Sequence, residues 1–424
     1  MHVLVVHNRY SSAQPSGENR VVDEEVGLLR AAGHRVDLFE RRSDDIAARS
    51  LLGKVAVPLL VPWNPPVRAE LTARLRGERP DVVHVHNVFP LLSPAVLAAC
   101  ADAGVPVVAT LHNFTQVCPP GTLHRDGRAC TECVGSATGL PAVRHGCYRN
   151  SRLATVPLAV SMSVNRRRWW TGVDRFFCIS AAQRDVLVRS GMPAERLVVK
   201  HNFVPEPDSR RTGDGEHLLF LGRLAEPKGV RLLMAAWDRL AAAGGVGVPL
   251  LLAGGGPLEA EVTAWAAGRD DVRYVGLYDP AQCREAVARA VAVVAPSVSP
   301  ETFGLVVAEA MAAGVPAVAA GHGAFVELVE DGVTGLLHRP GEEASLAESL
   351  RRITADPAAN REMGRTARRR YERAFSPAVG LERLVEEYRT VIAGRSGGAD
   401  GAPPTGNGNA GPRRGTPRGR EWGQ

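Results

Sequence analysis

No stretch of this sequence approaches the roughly 18 consecutive apolar residues of a membrane-spanning helix. Its opening residues, MHVLVVHN, have neither the charged lead nor the long apolar run of a secretion signal, and read better as a first strand. The expected location is therefore the cytoplasm, with peripheral attachment at the inner face of a membrane left open. Aromatic residues make up only 5% of the chain and do not interleave with its basic runs, which argues against a base-stacking platform and so against nucleic acid as a partner. Seven cysteines in a chain expected in that compartment argue for thiols or metal ligands rather than a disulfide framework. What remains is ordinary globular composition, 45% hydrophobic and 23% charged, with length for two or three domains. The formal charge of +6 suits an anionic small ligand or a membrane surface.

Short apolar runs alternate with helical patterns, from VLVVHN through RVDLFE, DVVHVHN and VVATLHN to RFFCIS. Such alternation predicts a parallel sheet covered by helices. The stretch HNFVPEPDSRRTGDGEH reads as a linker, and beyond it LLFLGRL, VPLLLAGGG, VRYVG, VAVVAPS and VPAVAAG predict five further strands. The expected organisation is α/β with two doubly wound, Rossmann-like domains, 1–205 and 215–375, facing across a cleft. A helix over 376–394 is expected to cross back onto the first domain. Residues 395–424 have almost no apolar content and are expected to be disordered. In such sheets ligands bind at the carboxyl ends of the strands, where the strand order reverses.

One such strand end carries SPETFGLVVAEAMAAGVPAVAAG, an apolar segment holding two acids, Glu301 and Glu309. A helix start exposes unsatisfied N–H groups, and carboxylates beside it accept hydrogen bonds from hydroxyls, which sugars supply in quantity. ETFGLVVAE resembles the paired-glutamate motif of the retaining glycosyltransferases of family 4, and GRLAEPKG, Gly222 to Gly229, is similar to that family's diphosphate-binding segment. The intervening AGGGPLE and VRYVGLY keep the same order. The resemblance implies a GT-B fold in which Arg223 and Lys228 grip the donor diphosphate. It also implies that Glu301, with the backbone of Phe303, Gly304 and Leu305, holds the donor sugar, and that Glu309 binds ribose hydroxyls. No Asp-x-Asp is present to clamp a metal–diphosphate complex, so catalysis is expected to need no metal.

The same resemblance implies roles in the first domain. Gly17, in PSGENRVVDEE, would let a helix start approach the donor phosphate, and His112, ending ATLHNF, would lie beside the transferred sugar. Of His84 and His86 in DVVHVHN, only one is expected to face the cleft. Cys118, Cys130, Cys133 and Cys147 form one Cys-x-x-Cys knuckle with two flanking cysteines; they can surround a structural zinc or remain packed thiols. A subset of family 4 resembles this insertion. NRRRWWTGVDRF, from Asn165 to Phe176, sets arginines before two indoles and suggests contact with anionic headgroups. The expected activity is transfer of a hexose-type sugar from a nucleotide-diphosphate sugar to a hydroxyl acceptor (glycan, lipid-linked or small molecule) in polysaccharide, glycolipid or glycosylated natural-product synthesis. Retention of anomeric configuration is implied by the resemblance alone. The alternative is a nucleotide-sugar 2-epimerase of the same fold.

Overall fold

The computed structural model describes residues 1–12 and 16–396. Two six-stranded parallel sheets carry it. The first contains β1 (His2–Arg9), β2 (Arg35–Arg42), β3 (Val82–Val85), β4 (Val107–Leu111), β7 (Arg175–Cys178) and β8 (Leu197–Val199), in the order β2-β1-β3-β4-β7-β8. A small hairpin, β5 (His124–Arg125) with β6 (Arg128–Ala129), stands apart in the cysteine-bearing insertion. The second sheet contains β9 (His217–Leu221), β10 (Leu250–Ala253), β11 (Val272–Tyr274), β12 (Ala290–Ala295), β13 (Ala317–Ala320) and β14 (Gly335–His338), ordered β11-β10-β9-β12-β13-β14.

The near-continuous apolar runs follow from burial on both faces of each sheet. Along β1, Val3 and Val5 enter one core with Val36 and Phe177, while Leu4 and Val6 enter another with Val83, Val85 and Phe176. Strand order reverses beside β1 and β3 in the first sheet and beside β9 and β12 in the second. Two crevices therefore open at carboxyl strand ends.

The last helix, Pro377–Ser396, lays Leu384, Val385 and Tyr388 onto the first sheet. It extends to Ser396, two residues beyond the expected end, and 397–424 of the expected disordered tail lie outside the described residues. The chain crosses between domains through the segment after β8 and again before this helix. The two crossings touch: Val204 N donates to Phe375 O at 3.0 Å, and the Tyr371 hydroxyl to Val204 O at 3.1 Å. Among the described residues, no helix is long and apolar enough to cross a membrane.

Candidate active site

In the second domain the turn before the helix Val230–Ala242 carries Lys228 to the end of β12. That approach requires glycine at 229, which has φ +71° and where a Cβ would lie 2.0 Å from Pro296 O. Lys228 Nζ donates to Glu301 Oε1 at 2.7 Å, and the Ser297 hydroxyl donates to the same oxygen at 2.7 Å. Behind them His322 Nε2 lies 2.8 Å from Ser297 O, fixing the loop. Burial raises the Glu301 carboxyl, but Lys228 and Ser297 outweigh it and hold the group below its ordinary value. Gly304 caps the helix Leu305–Ala313 at φ +98°, and a Cβ there would meet the Phe325 ring at 2.5 Å. Phe303 is buried between His201 and Phe375. Arg223 projects into solvent, and no side-chain hydrogen bond or ion pair engages it among the described residues.

The other half of the cleft meets this loop directly. The Thr302 hydroxyl donates to His112 O at 2.9 Å, which sets His112 beside Glu301. Arg20, on the helix Gly17–Ala31, pairs with Glu309 across the domains. Glu309, expected at ribose hydroxyls, is thus held by a first-domain cation. Gly17 lies not in an open loop but at that helix start, where a Cβ would be 2.8 Å from Leu305 Cδ1.

Beneath His112 the first-domain crevice is unusually rich in buried polar groups. His112 Nε2 and His86 Nδ1 are 2.9 Å apart with stacked rings, and burial pushes His112 down to about 3 and His86 well below its ordinary value. His84 lies deeper, 2.6 Å from the Tyr388 hydroxyl, 2.8 Å from that of Thr110 and 3.0 Å from Glu25. His84 and His86 do not alternate, because residues two apart on a strand share a face, yet of the two only His86 lines the cavity. Their ring centroids are 4.0 Å apart. Lys200 donates to Glu25 at 3.1 Å, and although burial raises that carboxyl, Lys200 and His84 more than offset it and hold it at about 2. Glu25, His84 and His86 are the one trio among the described residues spaced to ligate a metal, yet the cation at Glu25 is Lys200 itself.

Sequence reasoning missed Glu18. It follows Gly17 in the first turn of its helix and lines a small cavity with His86, His112, Asn113 and Trp169. Tyr10 hydrogen-bonds its carboxyl, and burial raises the group to about 8. Glu18 Oε1, His7 Nδ1 and His86 Nε2 are all buried there without a hydrogen-bond partner. The only sequence signal was an acid in the first turn of a helix after a strand, which most helices show for capping.

The insertion and the basic segment after it are packed as follows. Cys118 and Cys133 are buried, Cys130 and Cys147 half-buried, and no disulfide joins the four. Cys130 is drawn toward the hairpin by its N–H bond to Leu123 O, while Cys147 lies past the left-handed Gly146 that ends the helix Leu140–His145. The indoles of NRRRWW are not presented to solvent. Trp169 is buried against the cavity, and Trp170 lies under the Arg166 guanidinium at 4.2 Å.

Residues 215–356 match the sequence family described as glycosyl transferases group 1, and residues 15–206 match glycosyltransferase family 4. The chain is 35% identical over 375 residues to a phosphatidyl-myo-inositol mannosyltransferase of Propionibacterium freudenreichii subsp. shermanii, covering 82% of this chain and 85% of that one. It is 32% identical over 349 residues to the alpha-maltose-1-phosphate synthase of Mycolicibacterium smegmatis, covering 77% and 83%. Against a Mycobacterium tuberculosis glycogen synthase the identity is 32% over 310 residues, 71% of this chain but 66% of that enzyme's length. Among solved structures, sucrose-phosphate synthase from Thermosynechococcus elongatus superposes with a TM-score of 0.68 at 20% identity, over 92% of this chain and 99% of that one. Anabaena HepE in complex with UDP and glucose gives 0.63 at 19%, over 92% and 100%. With two Rossmann-like domains in the GT-B arrangement and relatives of this identity and coverage, the chain belongs to the family 4 glycosyltransferases.

Proposed function

We propose that this glycosyltransferase moves a hexose-type sugar from a nucleoside-diphosphate donor to a hydroxyl acceptor, with retention at the anomeric carbon. The observation that carries the reading is the Lys228–Glu301–Ser297 constellation at the strand-order reversal of the second sheet, directly across from His112. As the anomeric C–O bond breaks, positive charge develops on the sugar and negative charge on the departing diphosphate. Arg223 and Lys228, aimed at that diphosphate, stabilise the transition state more than the ground state. Glu301 accepts hydrogen bonds from sugar hydroxyls beside the backbone of Phe303, Gly304 and Leu305. Glu309 binds ribose once Arg20 has swung away. His112, kept neutral by burial, offers a hydrogen bond to the sugar or to the leaving oxygen without a charge of its own.

HepE, which shares the fold, binds UDP and glucose, in keeping with a nucleotide-sugar donor. The relatives named above build polysaccharides, glycolipids and sugar phosphates, in keeping with a biosynthetic role. No divalent ion enters these steps, so turnover should survive EDTA. The test is a thermal-shift panel of nucleotide sugars: a donor at a hundred times its Kd should stabilise the protein by about 2.7 kcal/mol. The shift should vanish in the Arg223→Ala/Lys228→Ala variant. Product formed only when a hydroxyl acceptor is added supports transfer, whereas a new epimer made from donor alone would favour the 2-epimerase.

A further inference from the structure

The first domain leaves large apolar side chains of two adjoining helices in water. Of the thirteen such exposed residues among those described, eight lie on two helices, Leu51–Leu60 and Arg152–Gly172. On the first, Leu51, Leu52, Val55 and Leu59 are exposed, Leu52 at 83%. On the second, Leu153, Val156, Val160 and Val164 follow at spacings of three and four, so they occupy one outward stripe. The inward stripe of the same helix, Thr155, Ala159, Asn165 and Trp169, is buried. The helices adjoin: Asn165 Nδ2 donates to Pro62 O at 2.8 Å and the Ser161 hydroxyl reaches Val61 O at 3.4 Å.

Apart from Asp44 and Asp45 in the turn before the first helix, the charge along these segments has one sign. No Asp or Glu occurs from 46 to 69 or from 133 to 173. Lys54, Arg144, Arg149, Arg152 and Arg167 are exposed, and none has an acidic partner among the described residues. Elsewhere arginines are routinely neutralised, as Arg231 is by Glu261, Arg289 by Glu216 and Arg361 by Asp214. Exposed apolar side chains bordered by unpaired cations match a bilayer with anionic headgroups, where the apolar groups enter the acyl boundary and the cations meet phosphates. A second copy of the chain fits poorly, since a two-fold contact would set these cations against their own kind.

We propose that this face docks the enzyme on anionic membrane. Trp169, on the inward side of the same helix, lines the cavity holding Glu18, His86 and His112. Docking through the outer side therefore sets that cavity at the lipid boundary, where the acceptor hydroxyl would be carried by a lipid; this last step rests on the transferase reading.

The test is co-sedimentation of the full chain with phosphatidylcholine vesicles containing about one-third phosphatidylglycerol, compared with phosphatidylcholine alone, at low and high salt. The wild type should bind only the anionic vesicles, less well at high salt. Leu52→Glu/Leu59→Glu and, separately, Val160→Glu/Val164→Glu should each weaken binding about tenfold or more while keeping the thermal midpoint and the donor-induced shift of the wild type. Wild-type binding unaffected by both double variants would overturn the proposal. So would absence of vesicle binding together with a wild-type dimer that these variants dissociate, which would make the face a self-association surface. The assay needs neither donor nor turnover, so it fails independently of the transferase reading.

Discussion

The two walls of the cleft treat charge in opposite ways. On the second-domain wall Lys228 and Glu301 form a half-exposed ion pair, and Arg223 stands in water ready for an anion. On the first-domain wall exposed Arg20 reaches across to Glu309, but the ionisable groups of the crevice itself lie out of water: His112 and His86 are driven neutral, Glu18 is driven toward its acid form, and the Glu25–Lys200 pair is sealed below them. Under the proposed transfer, the wall that neutralises a departing diphosphate needs cations at the surface. Under the same proposal, the wall that holds a neutral hydroxyl is served by uncharged donors and acceptors in a dry pocket.

The contrast can be broken in order of expected effect. Replacing both Arg223 and Lys228 by Ala should cost the most, because one transition-state charge contact is typically worth about 3 kcal/mol, roughly a hundredfold in rate, and the pair removes two. Turnover within a factor of about ten of the wild type in steady-state assays would remove the charged wall from the mechanism. His112→Asn should lower kcat about tenfold to a hundredfold, the range of a lost hydrogen bond to the reacting groups. It also carries a stability signature. With the folded imidazole at about 3 against an ordinary 6.5, the unfolded chain takes up the proton first, so wild-type stability is lost as pH falls from about 6.5 toward 3. The variant's thermal midpoint should fall less over that interval; an equal fall would mean the ring is solvated.

Glu18→Gln reverses the sign. A carboxyl at about 8 when folded and 4.5 when unfolded stabilises the fold below 4.5 and loses that contribution as pH rises through about 8. The variant should gain thermal midpoint relative to wild type between pH 5 and 9, and a constant difference would place Glu18 in water. The smallest effect is expected from Arg20→Ala. Its ion pair with Glu309 is partly exposed, so freeing Glu309 should improve nucleotide affinity by no more than about fivefold in a titration. Weaker nucleotide binding would instead mean that Arg20 helps to hold the ligand.

What could be read from the sequence was local. Both sheets follow from apolar runs separated by helical patterns. The second-domain wall is assembled from Gly222–Gly229 and Glu301–Glu309, two short segments at adjacent strand ends, so the candidate site could be picked out from residue types and spacing. The first-domain wall could not be read this way, since Glu18, His86, His112 and Trp169 come from four elements whose meeting depends on tertiary packing. The parity error over His84 and His86 came from applying alternation to residues two apart. NRRRWW advertised a surface, but a helix has two sides, and Trp169 and Trp170 take the inner one while Val160 and Val164 take the outer. The cysteine spacing is compatible with zinc and with packed thiols alike, because spacing does not fix sulfur positions when a hairpin and a short helix intervene.

The contact between Val204 and Phe375, where the two domain crossings run side by side, has a mechanical outcome. Two connections fastened together act as the pin of a door: swinging about their common line is soft, whereas sliding or twisting one half past the other strains both strands at once. Gly380, where any side chain would strike Phe203, keeps that pin narrow. A bulkier residue there should stiffen the swing and slow product escape before it harms the bond-breaking step.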